Sequence, residues 1–103
     1  MKPVLIISTY PNKKSILKIA NDLLKSKIIA CVNISKIDSV YSWNDKIQNS
    51  AEYIAIFKTV TKNKSKLKKK IAETHPYDVP EIAEIDVTSI NKSYLNWLIE
   101  STN

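Results

Sequence analysis

The run IIACVNISKIDSVYSW, residues 28–43, constrains the fold more than any other part of the chain. It contains sixteen residues, rich in β-branched and aromatic side chains and free of proline, which predicts one unusually long strand that bends near residues 35–38. At ~3.3 Å per residue such a strand would span roughly 50 Å, whereas a domain of about 100 residues has a radius of gyration near 13 Å. The strand must therefore bend or overhang, and an overhanging strand offers unpaired backbone groups to another subunit.

The rest of the pattern predicts alternating helices and strands. Asn44 and Asp45 are the predicted hairpin tip, and the return strand runs over 46–60. A strand is expected at 3–9, followed by a helix that Asn12 caps and that continues to about Ser26. The remaining predictions are a helix over 62–74 held by Leu67 and Ile71, a strand containing Ala83, Ile85 and Val87, and a last helix over 91–101. This order, β-α-β-β-α-β-α, predicts an α+β fold: a ferredoxin-like split βαβ sandwich with an antiparallel sheet and one added C-terminal helix, as a single domain over residues 1–103.

Two of the predicted strands are apolar on both faces. In the first strand Val4 and Ile6 alternate with Leu5 and Ile7, and the end of the 46–60 strand, EYIAIFK, has the same character. In the predicted fold the helices cover only one face of the sheet, so the second face needs a cover that the chain cannot supply. This argument, like the length of the hairpin, predicts an oligomer.

Composition excludes several classes of site. The chain has no glycine, so it cannot contain the glycine-rich loops that bind nucleotide phosphates, and its left-handed backbone positions are expected at Asn or Asp. All sixteen basic residues are lysine, and we interpret the net charge of +6 as codon bias of an AT-rich genome that aids solubility; nucleic acid is not an expected partner. No signal core or membrane-spanning run is found, and the single Cys31 forms no internal disulfide, so a cytoplasmic location is expected.

The segment HPYDVPEI, residues 75–82, contains the only histidine. Pro76 and Pro80 hold the residues before them in an extended conformation and so fix the direction of His75. Imidazole is the most common transition-metal ligand, which makes His75 a candidate metal ligand, with Asp78 and Glu81 nearby. One histidine does not make a metal site, and the alternative is a histidine hydrogen-bonded at a subunit boundary.

Five further residues are predicted to line a cleft between subunits. Aromatic side chains are favoured at interfaces, and Trp43 beside the hairpin tip is interpreted as an intersubunit anchor. Lys58, at the end of a buried strand, needs a carboxylate such as Glu52 or Glu81. An ion pair is one interpretation, and an anion-binding cleft lined by Lys58, His75 and Tyr77 is the other. The predicted cleft residues are Tyr41, Trp43, Lys58, Tyr77 and Glu81.

No set of residues specifies a reaction. Cys31 is expected to be a buried small hydrophobe, since no neighbouring base would activate it as a nucleophile. No Ser-His-Asp arrangement is recognisable in the sequence, and no enzymatic activity is predicted.

Several segments together resemble one family, the CutA or divalent-cation tolerance proteins. The resemblance rests on IIACVNI at 28–34, SVYSW at 39–43, Glu52 ahead of FKT at 57–59, HPYDVPEI at 75–82 and YLNWL at 94–98. It implies a ferredoxin-like subunit in a homotrimer whose long hairpins pair across subunits, and a role in tolerance of divalent cations such as copper.

The chain also departs from the family pattern. Asp45, and Ser89 with Ile90, stand where the family usually has glycine. Copper binding in some relatives is associated with a cysteine just after the first strand and with two adjacent histidines. Here that early segment is STYPN and Thr74 precedes His75, so one of three such ligands is present. Two other functions stay open: a PII-like trimeric sensor of a small molecule or anion, and an interaction scaffold.

Overall fold

The fold consists of one four-stranded antiparallel sheet and three helices, seen in a computed structural model that describes residues 1–103. The elements are β1 (Pro3–Tyr10), α1 (Lys13–Lys25), β2 (Cys31–Trp43), β3 (Lys46–Val60), α2 (Lys64–Thr74), β4 (Ala83–Asp86) and α3 (Lys92–Ser101), with a 3-10 turn at Thr61–Asn63 before α2. The strand order β2-β3-β1-β4 is that of a split βαβ sandwich. The predicted fold class is therefore confirmed.

The end of α1 explains why β2 begins at Cys31 rather than at residue 28. Lys27 has φ 61 and ends the helix: the N–H of Ile28 donates to the carbonyl of Leu23 at 2.9 Å, and that of Lys27 to the carbonyl of Leu24 at 3.1 Å. This is a Schellman motif, which usually has glycine at the left-handed position. The expectation that left-handed positions fall to Asn or Asp is right at Asn44 and Asp45 and wrong at Lys27.

The main core lies between the sheet and helices α1 and α2. Alternate residues of β1 and β3, such as Ile6 and Phe57, are fully buried on this face. Helix α1 starts at its predicted cap, where the Asn12 side chain accepts the N–H of Ser15 at 2.8 Å. The helices contribute the buried residues Ile16, Ile19, Leu23, Leu67 and Ile71.

The second face of the sheet is only partly covered by the chain itself. Helix α3 packs on this face at one end, where Leu98 contacts Ala30 and Val60 in a small separate cluster. The prediction that the chain supplies no cover is therefore wrong at this end. The rest of the second face stays open and apolar: Leu5, Ile7, Ile54 and Ile56 are half-buried and Ile85 is exposed.

Half of the β2–β3 hairpin extends beyond the rest of the sheet. The pairing of β2 with β3 is continuous from Cys31 opposite Lys58 to Trp43 opposite Lys46, without a bulge at the predicted bend. Strand β1 ends opposite Tyr53, so residues 37–52, here called the ribbon, pair only with each other. The molecule is consequently elongated, 45 × 27 × 21 Å. A two-residue turn with φ 53 at Asn44 and φ 60 at Asp45 closes the ribbon, as a type I′ hairpin requires.

Candidate functional site

Both ring nitrogens of His75 are engaged in hydrogen bonds. Helix α2 ends here because Pro76 holds His75 extended, at φ −70 and ψ 134. The backbone N–H of Tyr77 donates to Nδ1 of His75 at 3.1 Å, so Nδ1 is an acceptor and the ring proton is assigned to Nε2. Nε2 lies 3.1 Å from Oγ of Ser8 and donates to it. Neither nitrogen has a free lone pair for a metal ion.

The imidazole is also packed against aromatic rings. Tyr10 stacks on it with ring centroids 4.1 Å apart and an interplanar angle of 22°. Burial lowers the pKa of His75, against the opposing influence of the Thr9 backbone and the Glu52 charge. Burial also raises the pKa of Tyr10 to about 12, and its buried hydroxyl has no hydrogen-bond partner. These contacts describe a neutral histidine fixed inside one subunit.

The structure does not assemble a metal site from one chain. No three His, Cys, Asp or Glu side chains lie close enough together to hold an ion, whereas a structural or catalytic site takes three or four protein ligands. The residues of a single subunit therefore do not fit a tightly bound transition metal, and His75 would have to give up the Tyr77 N–H to become a ligand.

The contact between Ser8 and His75 could not be recognised from the sequence, because 67 positions separate the two residues. The contact resembles the serine–histidine pair of a catalytic triad, but here the imidazole proton is on Nε2, the nitrogen that faces Ser8. A general base needs its lone pair on the nitrogen that faces the hydroxyl, and here that nitrogen carries the proton. Ser8 is also fully buried, so this pair is not arranged to attack a substrate.

A cleft of about 490 Å³ lies between the ribbon and the segment that follows His75. Three aromatic residues line it: Tyr41 and Trp43 from β2, and Tyr77 from the 75–82 segment. Three carboxylates, Glu52, Asp78 and Glu81, line it as well, together with Thr9 and Val79. We call this site the aromatic cleft. It brings together four of the five residues predicted for a cleft, namely Tyr41, Trp43, Tyr77 and Glu81.

One internal hydrogen bond fixes the inner wall of the aromatic cleft. The Tyr77 hydroxyl donates to Oε2 of Glu52 at 2.7 Å, and burial together with this bond and the Glu52 charge raises the pKa of Tyr77 to about 12. Asp78 and Glu81 are exposed and take part in no salt bridge, since the only pairs are those of Lys64 and Lys68 with Glu84. The cleft therefore carries carboxylate charge that no lysine of the subunit neutralises.

Within one subunit Lys58 lies outside the aromatic cleft. Its Nζ donates to the Tyr94 hydroxyl at 3.4 Å and lies 5.5 Å from the centre of that ring. Lys58 is six residues from Glu52 along β3, roughly 20 Å away, and forms no ion pair with Glu52 or Glu81. Within one subunit Lys58 forms neither the predicted ion pair nor a cleft with His75 and Tyr77, because the strand carries it to the α3 end of the sheet. Both predictions concern a cleft where subunits meet, and they stay predictions.

One smaller difference concerns the exposure of Cys31. Cys31 is half-buried on the second face rather than buried. The lysines of α2 project from the outer layer of the molecule, and Glu84 holds two of them, Lys64 at 2.9 Å and Lys68 at 2.7 Å. Hydrogen bonds to these lysines lower the pKa of Glu84.

Comparison with known proteins identifies the relatives of this arrangement. Residues 4–101 match the family described as CutA1 divalent ion tolerance protein. The divalent-cation tolerance protein CutA of Pyrococcus horikoshii is 42% identical over 99 residues, which cover 96% of this chain and 97% of that protein. The crystal structure of the divalent ion tolerance protein CutA1 from Ehrlichia chaffeensis superposes with a TM-score of 0.94 at 40% identity, covering 100% of this chain and 98% of that one.

The relatives correct the expected location. A protein of Arabidopsis thaliana, 37% identical over 96% of this chain and 55% of its own length, is named chloroplastic. A structure from Archaeoglobus fulgidus, with TM-score 0.92 and 31% identity, covering 98% of this chain and 99% of that one, is described as periplasmic. The prediction of a cytoplasmic location from one unpaired cysteine is therefore wrong, because relatives of this chain are described in other compartments. None of the three helices is long and apolar enough to cross a membrane.

Proposed function

The chain belongs to the CutA1 family of divalent ion tolerance proteins, and we propose from this premise that it acts as a homotrimer, without enzymatic activity, in the cellular response to divalent cations. The match over residues 4–101 carries the link to divalent cations. The family resemblance supplies the number of three subunits, and the open sheet face and the ribbon of this chain support assembly.

The open part of the second face supports assembly. Leu5, Ile7, Ile54 and Ile56 form a continuous apolar surface across β1 and β3. Burying such a surface stabilises an assembly by about 25 cal/mol per Å² of apolar area. A second face packed against the same face of its neighbours would cover it.

The ribbon gives a second, independent reason. A two-stranded hairpin is at best marginally stable alone in water, yet this ribbon exposes Val40, Trp43 and Ile47, the last at 77%. Pairing with neighbouring subunits would bury these side chains and complete the edge hydrogen bonds of β2 and β3. In such a trimer the aromatic cleft lies at the subunit boundary, with Trp43 as the anchor.

A charge placed on the ribbon tests the assembly. Ile47→Asp removes no contact inside the subunit, because the residue is exposed in it. It should abolish the trimer in sedimentation velocity and leave subunits that unfold or aggregate, since their ribbon and second face then stay in water. Leu17→Asp, at a residue 44% exposed on α1, is the matched control and should remain trimeric. Cells from which the gene for this protein has been deleted should grow in raised Cu²⁺ when they are supplied with the wild-type protein or with Leu17→Asp, but not with Ile47→Asp. Equal assembly and equal rescue by both variants would contradict the proposal.

Direct copper binding by His75 is a separate prediction. We expect the imidazole to bind Cu²⁺ weakly, because both ring nitrogens already form hydrogen bonds, to the Tyr77 N–H and to the Ser8 hydroxyl, and a metal must displace one of these groups. Further ligands must come from a second subunit. Titration of the purified protein with Cu²⁺ should show at most weak binding that His75→Ala removes. Tight binding that persists in His75→Ala would exclude His75 as the ligand.

Small-molecule sensing is a second candidate function. The observation that favours it is the volume of the aromatic cleft, about 490 Å³, which is within the usual range for small-molecule sites. A small molecule and an anion are both candidate ligands, because a neighbouring subunit would complete the lining. A thermal-shift screen tests this candidate, because a ligand of the folded state raises the melting temperature.

A further inference from the structure

We propose that the outer side of helices α1 and α2 binds an anionic lipid surface, such as a bilayer that contains phosphatidylserine. The inference goes beyond the proposed function and does not depend on metal binding. It is carried by the position of the two helices, the charge that they expose, and two leucines that project among the lysines.

The outer side of these helices is free in the proposed assembly. Helices α1 and α2 pack on one face of the sheet through buried residues such as Ile16 and Leu67. Assembly is proposed to cover the opposite, second face and the ribbon, so a partner that docks on the helices does not compete with neighbouring subunits. We call the exposed residues of 11–27 and 61–74 the lysine layer.

The lysine layer is strongly basic. It exposes two carboxylates, Asp22 and Glu73, and nine lysines: Lys13, Lys14, Lys18, Lys25, Lys27, Lys62, Lys66, Lys69 and Lys70. None of the nine takes part in a salt bridge, since the only pairs are those of Lys64 and Lys68 with Glu84. Outside residues 11–27 and 61–74 the chain has five lysines and eight acidic residues. An AT-rich genome accounts for the number of lysines but not for their concentration on one side of the molecule.

Six of these lysines form a row along each helix. Residues three, four or seven positions apart lie on one side of a helix. This spacing relates Lys14, Lys18 and Lys25 on α1, and Lys66, Lys69 and Lys70 on α2. Each lysine close to an anionic lipid surface strengthens binding about fivefold, so the two rows together favour such a surface strongly.

Two exposed leucines favour lipid over nucleic acid as the anionic partner. Leu17 is 44% and Leu24 is 42% exposed, and at seven positions apart they lie on one side of α1. Leu17 also neighbours Lys14, three positions before it. Leucine side chains gain from insertion among lipid headgroups and acyl chains but have no partner on a phosphate backbone. Nucleic-acid recognition also uses arginine and aromatic side chains, and the lysine layer contains neither.

Co-sedimentation of the purified full-length protein with lipid vesicles tests the proposal. In low salt the protein should sediment with vesicles of about one part phosphatidylserine to three parts phosphatidylcholine, and not with vesicles of phosphatidylcholine alone. Lys14→Gln combined with Lys18→Gln should weaken this binding at least about tenfold. The matched control, Lys2→Gln combined with Lys92→Gln, removes the same charge at exposed residues outside the lysine layer and should change binding by less than about twofold.

A leucine variant and a competing probe distinguish lipid from nucleic acid. Leu17→Ala combined with Leu24→Ala should weaken binding to the phosphatidylserine vesicles about tenfold, because less apolar area is inserted. Transfer RNA, titrated in the same buffer, should bind more weakly than the vesicles do. Tighter binding of the RNA, or undiminished vesicle binding by the leucine variant, would overturn the proposal.

Absence of binding to phosphatidylserine vesicles in low salt, or equal weakening by the two pairs of lysine substitutions, would also overturn it. Failure of the proposed function would look different: the wild type would sediment as a monomer or fail to restore growth in Cu²⁺. A trimer that restores growth but does not bind the vesicles would refute the lipid surface alone.

Discussion

Replacing His75 with alanine removes three interactions that fix the start of the 75–82 segment. The fully buried Ser8 hydroxyl loses its partner at 3.1 Å, which costs about 1–3 kcal/mol. The stacking of Tyr10 on the imidazole contributes about 0.5–1.5 kcal/mol more. The Tyr77 N–H also loses its acceptor but can turn to water. We therefore expect His75→Ala to lower the free energy of unfolding by about 1.5–4.5 kcal/mol per subunit.

A double-mutant cycle with Ser8→Ala separates the hydrogen bond from the packing. Urea unfolding is followed at one fixed protein concentration for the wild type, both single variants and the double variant. The interaction energy between Ser8 and His75 should be about 1–2 kcal/mol, as is usual for buried residues in contact. Ser65→Ala, at an exposed position of α2, is the control and should change stability by less than about 0.5 kcal/mol.

The cycle can refute the assignment of the ring proton and its partners. An interaction energy within about 0.3 kcal/mol of zero would mean that Ser8 and His75 do not act as a bonded pair. Increased stability of His75→Ala would show that the imidazole is a strained functional group rather than a structural one.

Three further predictions concern the ring, the turn and the core. Because burial lowers the pKa of His75 in the folded protein, the unfolded chain takes up a proton first as pH falls below about 6.5. The free energy of unfolding should therefore drop by at most about 1.4 kcal/mol per pH unit. Urea titrations between pH 7 and pH 5 should show this drop in the wild type and not in His75→Ala. Asp45→Gly should raise the free energy of unfolding by about 0.5–1 kcal/mol, because glycine accepts φ 60 at lower cost, whereas Asp45→Val should lower it. Leu67→Ala, at a fully buried residue, should cost about 2–5 kcal/mol in the same assay, while exposed Leu17→Ala should change it by less than about 0.5 kcal/mol.

Much of the fold follows from local patterns in the sequence. A few neighbouring residues are enough to predict several local features. These are the strands that are apolar on both faces, the helix cap at Asn12 and the turn at Asn44 and Asp45. The position of helix α3 is less predictable, because its apolar pattern predicts a helix but does not indicate which face of the sheet the helix covers. The left-handed backbone at Lys27 is not predictable from its segment, because lysine rarely adopts this conformation; it occurs here in a chain that has no glycine.

The site is less predictable because it depends on distances between remote segments. The aromatic residues and Glu81 could be proposed from their segments, but the partner of His75 is 67 positions away in β1. Lys58 is predicted in the cleft because a lysine at the end of a buried strand needs a carboxylate, but the extended geometry of β3 separates it from Glu52 within one subunit. Asp78 and Thr9 line the same cleft only because the fold brings the segment after Pro76 against β1 and the ribbon.

Sedimentation equilibrium of the wild-type protein at micromolar concentration tests the central claim most directly, namely that the open second face and the ribbon require other copies of the chain. The account predicts a single species of three times 11.7 kDa that persists on dilution. A folded, soluble species of 11.7 kDa would contradict it, because one subunit would then be stable with its ribbon and half of its sheet face in water.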